Sequence, residues 1–295
     1  MHDTIIIGGS FAGLSAAMYL GRGRHDVVVL DTGMPRNRFS PQSHGFFTHD
    51  GSIPSVMLST ARTQLKPYST VRLVDGEAVS ATGARDGFSV MLAAGDVLKG
   101  RRLILASGVR DILPPINGLA ERWGTSVLHC PYCHGYEYAD HRLGVLYAGP
   151  ASLHHARLIA NWGPTTLFTN GVDVEQSHTL ATHGIAVETA PIIALHGSDG
   201  RLSHVELAPA RCARLDALYI APAIEPRSQV SSALGCAMRE TPAGSVLAVD
   251  DRMMTSVPGV HAAGDIAAFP SMVARAVADG SLAGAMVSQS LIFDT

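Results

Sequence analysis

Ile5-Ile6-Ile7-Gly8-Gly9-Ser10-Phe11-Ala12-Gly13 joins a wholly apolar, β-branched run to a turn of small residues. Such a run suits a strand buried on both faces of a parallel sheet. Leu14-Ser15-Ala16-Ala17-Met18-Tyr19-Leu20 continues with helical spacing and good helix formers. The turn is close to the dinucleotide fingerprint G-x-G-x-x-G, whose glycines let the backbone approach a pyrophosphate at a helix N-terminus. Ser10 stands where the middle glycine belongs. Taken by itself the imperfect fingerprint is a weak signal, but its context strengthens it. Val27-Val28-Val29-Leu30 predicts a second buried strand, which ends in Asp31, 23 residues after Gly8, where an acid binds a ribose hydroxyl. Strand, turn, helix, strand and acid predict a nucleotide-binding unit that uses Gly8, Ser10, Phe11, Ala12, Gly13 and Asp31.

Beyond Asp31 the chain reads as a loop through Pro35-Arg36-Asn37-Arg38 and Ser43-His44-Gly45-Phe46-Phe47. Arg36, Asn37 and His44 suit a phosphate or flavin edge, though each could equally be a solvated loop residue. Ala78-Val79, Phe88 to Leu92 and Gly95 to Leu98 alternate between turn residues, predicting an antiparallel hairpin. Arg102 to Ala106 predicts a third buried strand, ending in the small-residue turn at Ser107-Gly108. Near Pro114-Pro115 the first unit gives way to a second. There Gly144 to Ser152, a helix from Leu153 to Trp162 and a strand from Thr165 to Thr169 repeat the opening logic. Ile185 to Val187 and Ser203 to Leu207 predict further strands, and Ala217 to Pro222 leads back toward the first unit. The last signal is Val260-His261-Ala262-Ala263-Gly264-Asp265, a strand ending in Gly-Asp before a long Ala/Val helix from about Ser271. It sets a carboxylate and a helix N-terminus beside a cofactor, although Asp265 taken singly could be a helix cap. The expected class is α/β, with two Rossmann-like three-layer domains, the second inserted in the first. The boundaries fall at 1–113 and 225–295 for the first domain and 114–224 for the insertion.

A chain of 295 residues with 46% hydrophobic content can bury two cores. A net charge of −3 without a Lys/Arg run argues against nucleic acid and against an acidic membrane surface. The apolar runs read as strand-sized, short of the ~20 residues a membrane helix needs. Met1-His2-Asp3-Thr4 brings no basic leader, so a cytoplasmic location is expected. Cys212 and Cys236 stand apart from other cysteines, which fits a reducing compartment.

Cys130-Pro131-Tyr132-Cys133-His134-Gly135-Tyr136-Glu137 carries the chemistry. Two intervening residues let both sulfurs meet on the first turn of a helix, where the dipole favours a thiolate. His129 and His134 beside the cysteines could form a metal site, but no second pair at ligand spacing follows, so no metal is expected. Cys130-x-x-Cys133-His134 also matches the c-type haem attachment pattern, which needs export. Two structural cysteines remain the bland reading. A redox-active dithiol is preferred, with His134 as general acid or base because its ordinary pKa lies near neutrality.

Together these stretches resemble the low-molecular-weight thioredoxin reductase family of flavoproteins over nearly the whole chain. The resemblance implies FAD on the first domain, held by the N-terminal turn, Asp31, Arg36, Asn37, His44, Val79, Gly108, Gly264, Asp265 and Val273. It implies that Cys133 is the sulfur nearest the flavin, that Cys130 exchanges with substrate, and that the protein is a homodimer. A histidine rather than an acid after the second cysteine resembles the branch of dithiol oxidases of gliotoxin and holomycin type. In NADPH-using members the inserted turn reads G-x-G-x-x-A, whereas Tyr147-Ala148-Gly149-Pro150-Ala151-Ser152 places a tyrosine at the first glycine. Thr169-Asn170-Gly171 offers neither arginines for a 2′-phosphate nor an acid for a ribose. NAD(P)H is therefore not the expected electron source, the alternative being a pocket that binds it through other groups. The expected function is oxidation of a small dithiol, with oxygen or another acceptor. The runner-up is a reductase of a thioredoxin-like protein fed by NAD(P)H or ferredoxin, and the rival of another class is a flavin-binding redox sensor.

Overall fold

The computed structural model describes residues 1–175 and 177–293. The chain divides into two compact units, one of Met1–Arg38, Ile53–Arg110 and Ile224–Thr295, the other of Phe39–Ser52 and Asp111–Ala223. The expected boundaries near 113 and 225 leave Phe39–Ser52 in the first domain, whereas contacts put it in the second unit.

The first unit opens with β1 (His2–Ile7), α1 (Phe11–Arg22), β2 (Val27–Asp31), α2 (Pro54–Leu65), β3 (Val71–Asp75), β4 (Ala78–Thr82), β5 (Phe88–Leu92) and β6 (Val97–Leu105). They form a sheet in the order β3-β2-β1-β6-β5-β4. The strands around β1 are parallel, while β4, β5 and the start of β6 are antiparallel. One strand, β6, therefore does what the sequence divides between a hairpin arm and a third buried strand. Its first half pairs with β5 and its second with β1.

Side chains alternate across the sheet. Ile5, Ile7, Val28, Leu30, Leu103 and Leu105 face a core shared with Phe88 and Val90. Ile6, Val27, Val29 and Ile104 face another, built from Leu14, Ala17, Leu20 and Leu58 of the helices. Each fully buried aliphatic side chain contributes roughly 1.5–3 kcal/mol relative to exposure, so uniformly apolar strands hold two layers at once.

The chain leaves on β7 (Val109–Ile112) and enters β8 (Val127–Leu128), α3 (Pro131–His134), β9 (Leu143–Leu146), α4 (Ala151–Ile159), β10 (Thr165–Phe168) and β11 (Ala186–Glu188). A meander of β12 (Ile192–Ser198), β13 (Arg201–Leu207) and β14 (Arg211–Arg214) follows, then β15 (Ala217–Ile220). The parallel sheet of this second unit runs β11-β10-β9-β15-β8. One face packs on the meander through Phe168, Leu218, Val205 and Leu207. The other packs on α4 through Val145, Leu167, Ala156 and Ile159. Both units are thus Rossmann-like, with three layers.

The return uses β16 (Ala223–Pro226), α5 (Val230–Ala233), β17 (Met238–Thr241), β18 (Gly244–Leu247), β19 (Val260–Ala262) and α6 (Val273–Phe293). Strand β19 adds to the first sheet, parallel to β6. The expectation that every apolar run is strand-sized fails at α6, whose 21 residues are long and apolar enough to cross a membrane. Its composition has a packing reason. A Cβ on Gly280 would stand 2.1 Å from the Ala12 carbonyl oxygen, so only glycine lets α6 lie this close to α1. Ser15 Oγ donates to the Val277 carbonyl at 2.7 Å across the same contact.

Candidate active site

In the first unit the turn between β1 and α1 has the properties a dinucleotide requires. Gly8 takes φ +117°, and a Cβ there would lie 2.2 Å from the Ala106 carbonyl oxygen. Ser10 is the N-cap of α1 but makes no side-chain cap, and no acid occupies the first helical turn. The helix N-terminus through Phe11, Ala12 and Gly13 is accordingly suited to an anion. Asp31 ends β2, where it accepts the Gly33 N–H at 3.0 Å and pairs with Arg62 of α2. Arg62 also reaches the Gly9 carbonyl at 3.4 Å, which brings a cation to the turn.

Arg36 donates to Asp265 at 2.9 Å, joining two residues the sequence separates widely. Beside Arg36, the Asn37 Nδ2 is buried with no hydrogen-bond partner, an orphan donor that a bound group would satisfy. Gly108 and Gly264 both adopt positive φ, at 69° and 76°. Val273 begins α6, whereas Val79 lies on β4 with its side chain 42% exposed. An open turn, an acid at the ribose position and an unsatisfied donor fit a flavin dinucleotide.

The dithiol lies in the second unit, just past the carboxyl end of β8. Cys130 and Cys133 form a disulfide with Cα atoms 5.3 Å apart, an ordinary bridge separation. Cys130 is the N-cap of α3, with Pro131 in the first helical position, where its missing N–H costs nothing. This helix is a single turn, so the dipole expected to favour a thiolate is correspondingly small. Tyr132 packs edge-on against Trp162 with ring centroids 5.7 Å apart.

His134 is held beside the dithiol by residues of Phe39–Ser52. Its Nε2 lies 3.3 Å from Ser40 Oγ, and its ring meets His44 edge-on at 6.3 Å. Burial pushes the His134 pKa below its ordinary value; nearby Glu137 opposes the shift and His44 adds to it. His44, expected at the flavin, belongs by its contacts to the second unit and lies 3.4 Å from Glu137 and 3.5 Å from Asp50. In the same unit His155 of α4 lies edge-on to Tyr219 at 6.1 Å. Neither His155 Nδ1 nor the Tyr219 hydroxyl has a partner. Burial holds the His155 pKa down at about 4.

The turn between β9 and α4 contrasts with the first. Where the first unit has Gly8 the second has Tyr147, which packs against the core around Val145 and Leu167. Ala148 N–H donates to Ser152 Oγ at 2.9 Å, and Pro150 supplies no donor at all. At the next strand end Asn170 Oδ1 accepts the Ile192 N–H at 2.8 Å, and Glu188 is bound by Arg211. With a tyrosine at the first glycine and a proline in place of a donor, this turn does not fit a nicotinamide dinucleotide as the first turn fits FAD. Among the described residues no cluster of three or more His, Cys, Asp or Glu could hold a metal ion.

Sequence reading missed Arg62, Ser40 and Asp50, and it quoted Glu137 without assigning it a part. Each acts through a partner remote in sequence, so no local pattern marks it.

The family model described as pyridine nucleotide-disulphide oxidoreductase matches residues 2–280. The chain is 33% identical to the thioredoxin reductase tcpT of Claviceps purpurea, over 99% of this chain and 95% of that one. Among solved structures, an oxidoreductase from Agrobacterium tumefaciens superposes with a TM-score of 0.94 at 43% identity, covering 100% and 99% of the two chains. The crystal structure of HlmI superposes with a TM-score of 0.92 at 36% identity, covering 99% and 93%.

Proposed function

Since the chain belongs to the pyridine nucleotide-disulphide oxidoreductase family, and is thus an oxidoreductase acting on sulfur, we propose that it is an FAD-dependent oxidase of small dithiols. The observation that carries this reading is the contrast between the two Rossmann turns. The first carries Gly8 in a left-handed backbone that a side chain would obstruct, whereas the second has Tyr147 packed into its core at that position, an Ala148 N–H taken by Ser152 and a proline without a donor. In this reading FAD is held by the Gly8 turn, Asp31, Arg36, Asn37 and Asp265. When bound, it supplies a two-electron acceptor that oxygen or another oxidant regenerates.

The chain's own residues carry out the exchange. A substrate thiolate attacks the Cys130 sulfur, forming a mixed disulfide and releasing Cys133 as a thiolate. The second substrate thiol, deprotonated, attacks the first substrate sulfur in that mixed disulfide, forming the substrate's S–S bond. Cys130 leaves as a thiolate, and the substrate departs as a disulfide. Two electrons have then passed to the Cys130–Cys133 pair, and two protons have been given up by the substrate. His134, partly buried next to Cys133, is the group to accept one of them. We further propose a homodimer working in the cytoplasm, with sedimentation and fractionation as its checks.

The competing reading, a reductase of a thioredoxin-like protein, takes its support from the name of the Claviceps relative. Anaerobic mixing of the flavin-loaded protein with dithiothreitol, and separately with NADPH and NADH, divides the two. Losing a charge-assisted phosphate contact costs about 1.5–3 kcal/mol, so two missing contacts weaken the nucleotide by two orders of magnitude or more. The dithiol is expected to bleach the flavin at once and to consume oxygen on readmission of air, with NADPH slow or inert. Rapid stoichiometric bleaching by NADPH would establish the reductase instead.

A further inference from the structure

Phe39–Ser52 belongs with the second unit and brings Ser40, His44 and Asp50 to the dithiol segment. Ser40 has one hydroxyl proton, which it donates to the Gln42 carbonyl at 2.6 Å. Toward His134 Nε2, 3.3 Å away, Ser40 Oγ can therefore only accept. A neutral imidazole carries one N–H, and this contact assigns it to Nε2. Nδ1 is left with the lone pair.

The charges around the two histidines favour the same outcome. An imidazolium at His44 faces two carboxylates, Asp50 at 3.5 Å and Glu137 at 3.4 Å. An imidazolium at His134 is attracted by Glu137 alone, is penalised by its own burial, and repels any charge on His44, whose ring is 6.3 Å away. A charge on His44 opposes one on His134 and adds to the burial that holds the His134 pKa down.

We propose that Ser40 and His44 are positioning residues for His134: Ser40 fixes the tautomer that leaves Nδ1 free, and His44, seated between Asp50 and Glu137, keeps that nitrogen unprotonated. The proposal rests on the dithiol-oxidase reading for its use, since an unprotonated His134 is the acceptor for the thiol proton released in exchange. The balance is one proton from a substrate or cysteine S–H to His134 Nδ1, giving a thiolate and an imidazolium. No electron moves in that step.

The test follows the His134 ring in 15N-histidine-labelled protein, its resonance identified by loss in His134→Gln. The wild-type ring is expected to show its proton on Nε2. His44→Gln removes the repelling charge and leaves Glu137 to His134, so the His134 titration midpoint should rise, by roughly half a pH unit or more. Glu137→Gln removes the attracting charge, so it should fall. The acid limb of dithiol turnover should move with each midpoint. Asp50→Asn keeps the hydrogen bond from Gly45 N–H and takes a charge from His44. It should move the midpoint upward, and it serves where His44→Gln does not fold. A proton on Nδ1, an unmoved midpoint, or shifts of the same sign in His44→Gln and Glu137→Gln would overturn the proposal. Opposite shifts in a protein that turns over no dithiol would leave the charge coupling standing and remove the oxidase reading.

Discussion

A Cβ at Gly8 would meet the Ala106 carbonyl oxygen at 2.2 Å, and the residue sits at φ +117°, a region that L side chains rarely adopt. Glycine here is a requirement of both conformation and space, and it is what the fingerprint records. Gly8→Ala should therefore cost about 1–3 kcal/mol of stability and should also displace the turn that FAD needs. Purified Gly8→Ala is expected to be colourless or nearly so, with a lowered urea midpoint. A variant with full flavin content and an unchanged midpoint would show that the turn tolerates the side chain. Residues of this kind were legible in sequence because their demand is local: the Gly8 turn answers to backbone geometry, and Asp31 answers to the strand it ends. Arg62, which pairs with Asp31, was not legible. It sits on a helix whose pattern says nothing about a strand terminus 31 residues earlier.

At the scale of elements, what the sequence reveals depends on how uniformly an element is buried. β1, β2 and the end of β6 are legible as buried strands because they are apolar throughout, and both of their faces meet a core. α2 escaped notice. It buries only Pro54, Met57, Leu58 and Leu65, too few to stand out in a polar stretch. The hairpin expectation ends at Leu98 and the third strand begins at Arg102, yet β6 runs straight through Lys99-Gly100-Arg101 between them. Arg102 is the reason it can: its side chain is fully buried but donates to Asp86, to Ser290 Oγ and to the Ser290 carbonyl. The long helix expected from about Ser271 is α6, but its apolarity over 21 residues is masked in sequence by the Gly and Ser interspersed in it, which serve the contact with α1. Gly280→Ala should push these helices apart at Ala12, costing roughly 1–3 kcal/mol as an overpacked contact and lowering flavin retention, because Ala12 belongs to the cofactor turn. Chemical denaturation and flavin content measured together check this. A loss of stability with flavin content intact would mean that α6 moves and the turn does not.

Over the whole molecule, the two units could be anticipated from their repeated strand–turn–helix pattern, but the membership of Phe39–Ser52 could not. Its partners His134 and Glu137 lie some ninety positions away, and nothing local encodes them. The units also share a liability that only burial reveals. Each contains a histidine enclosed in the neutral form, His261 in the first and His155 in the second, and burial holds both at about 4 against an ordinary 6.5. Both rings have an Nδ1 without a partner, so protonation gains no compensating bond there. Between pH 6.5 and 4 the unfolded chain binds these protons and the folded chain does not. The stability from neutral burial is therefore complete above 6.5 and is lost as pH falls toward 4. At pH 5 each site should have lost roughly 2 kcal/mol. The two sites lie in separate units and should act independently. Carboxylates cannot produce this slope by losing their partners: Asp216, held down at about 2 by Arg142, gives up its contribution only below its ordinary range. Urea unfolding at pH 7.5 and pH 5 should therefore show a marked loss in the wild type. His155→Gln and His261→Gln should each flatten that pH dependence by its own share, whatever each substitution costs at pH 7.5. Equal wild-type midpoints at the two pH values, or an undiminished slope in both variants, would mean that the two rings are protonated inside the folded chain.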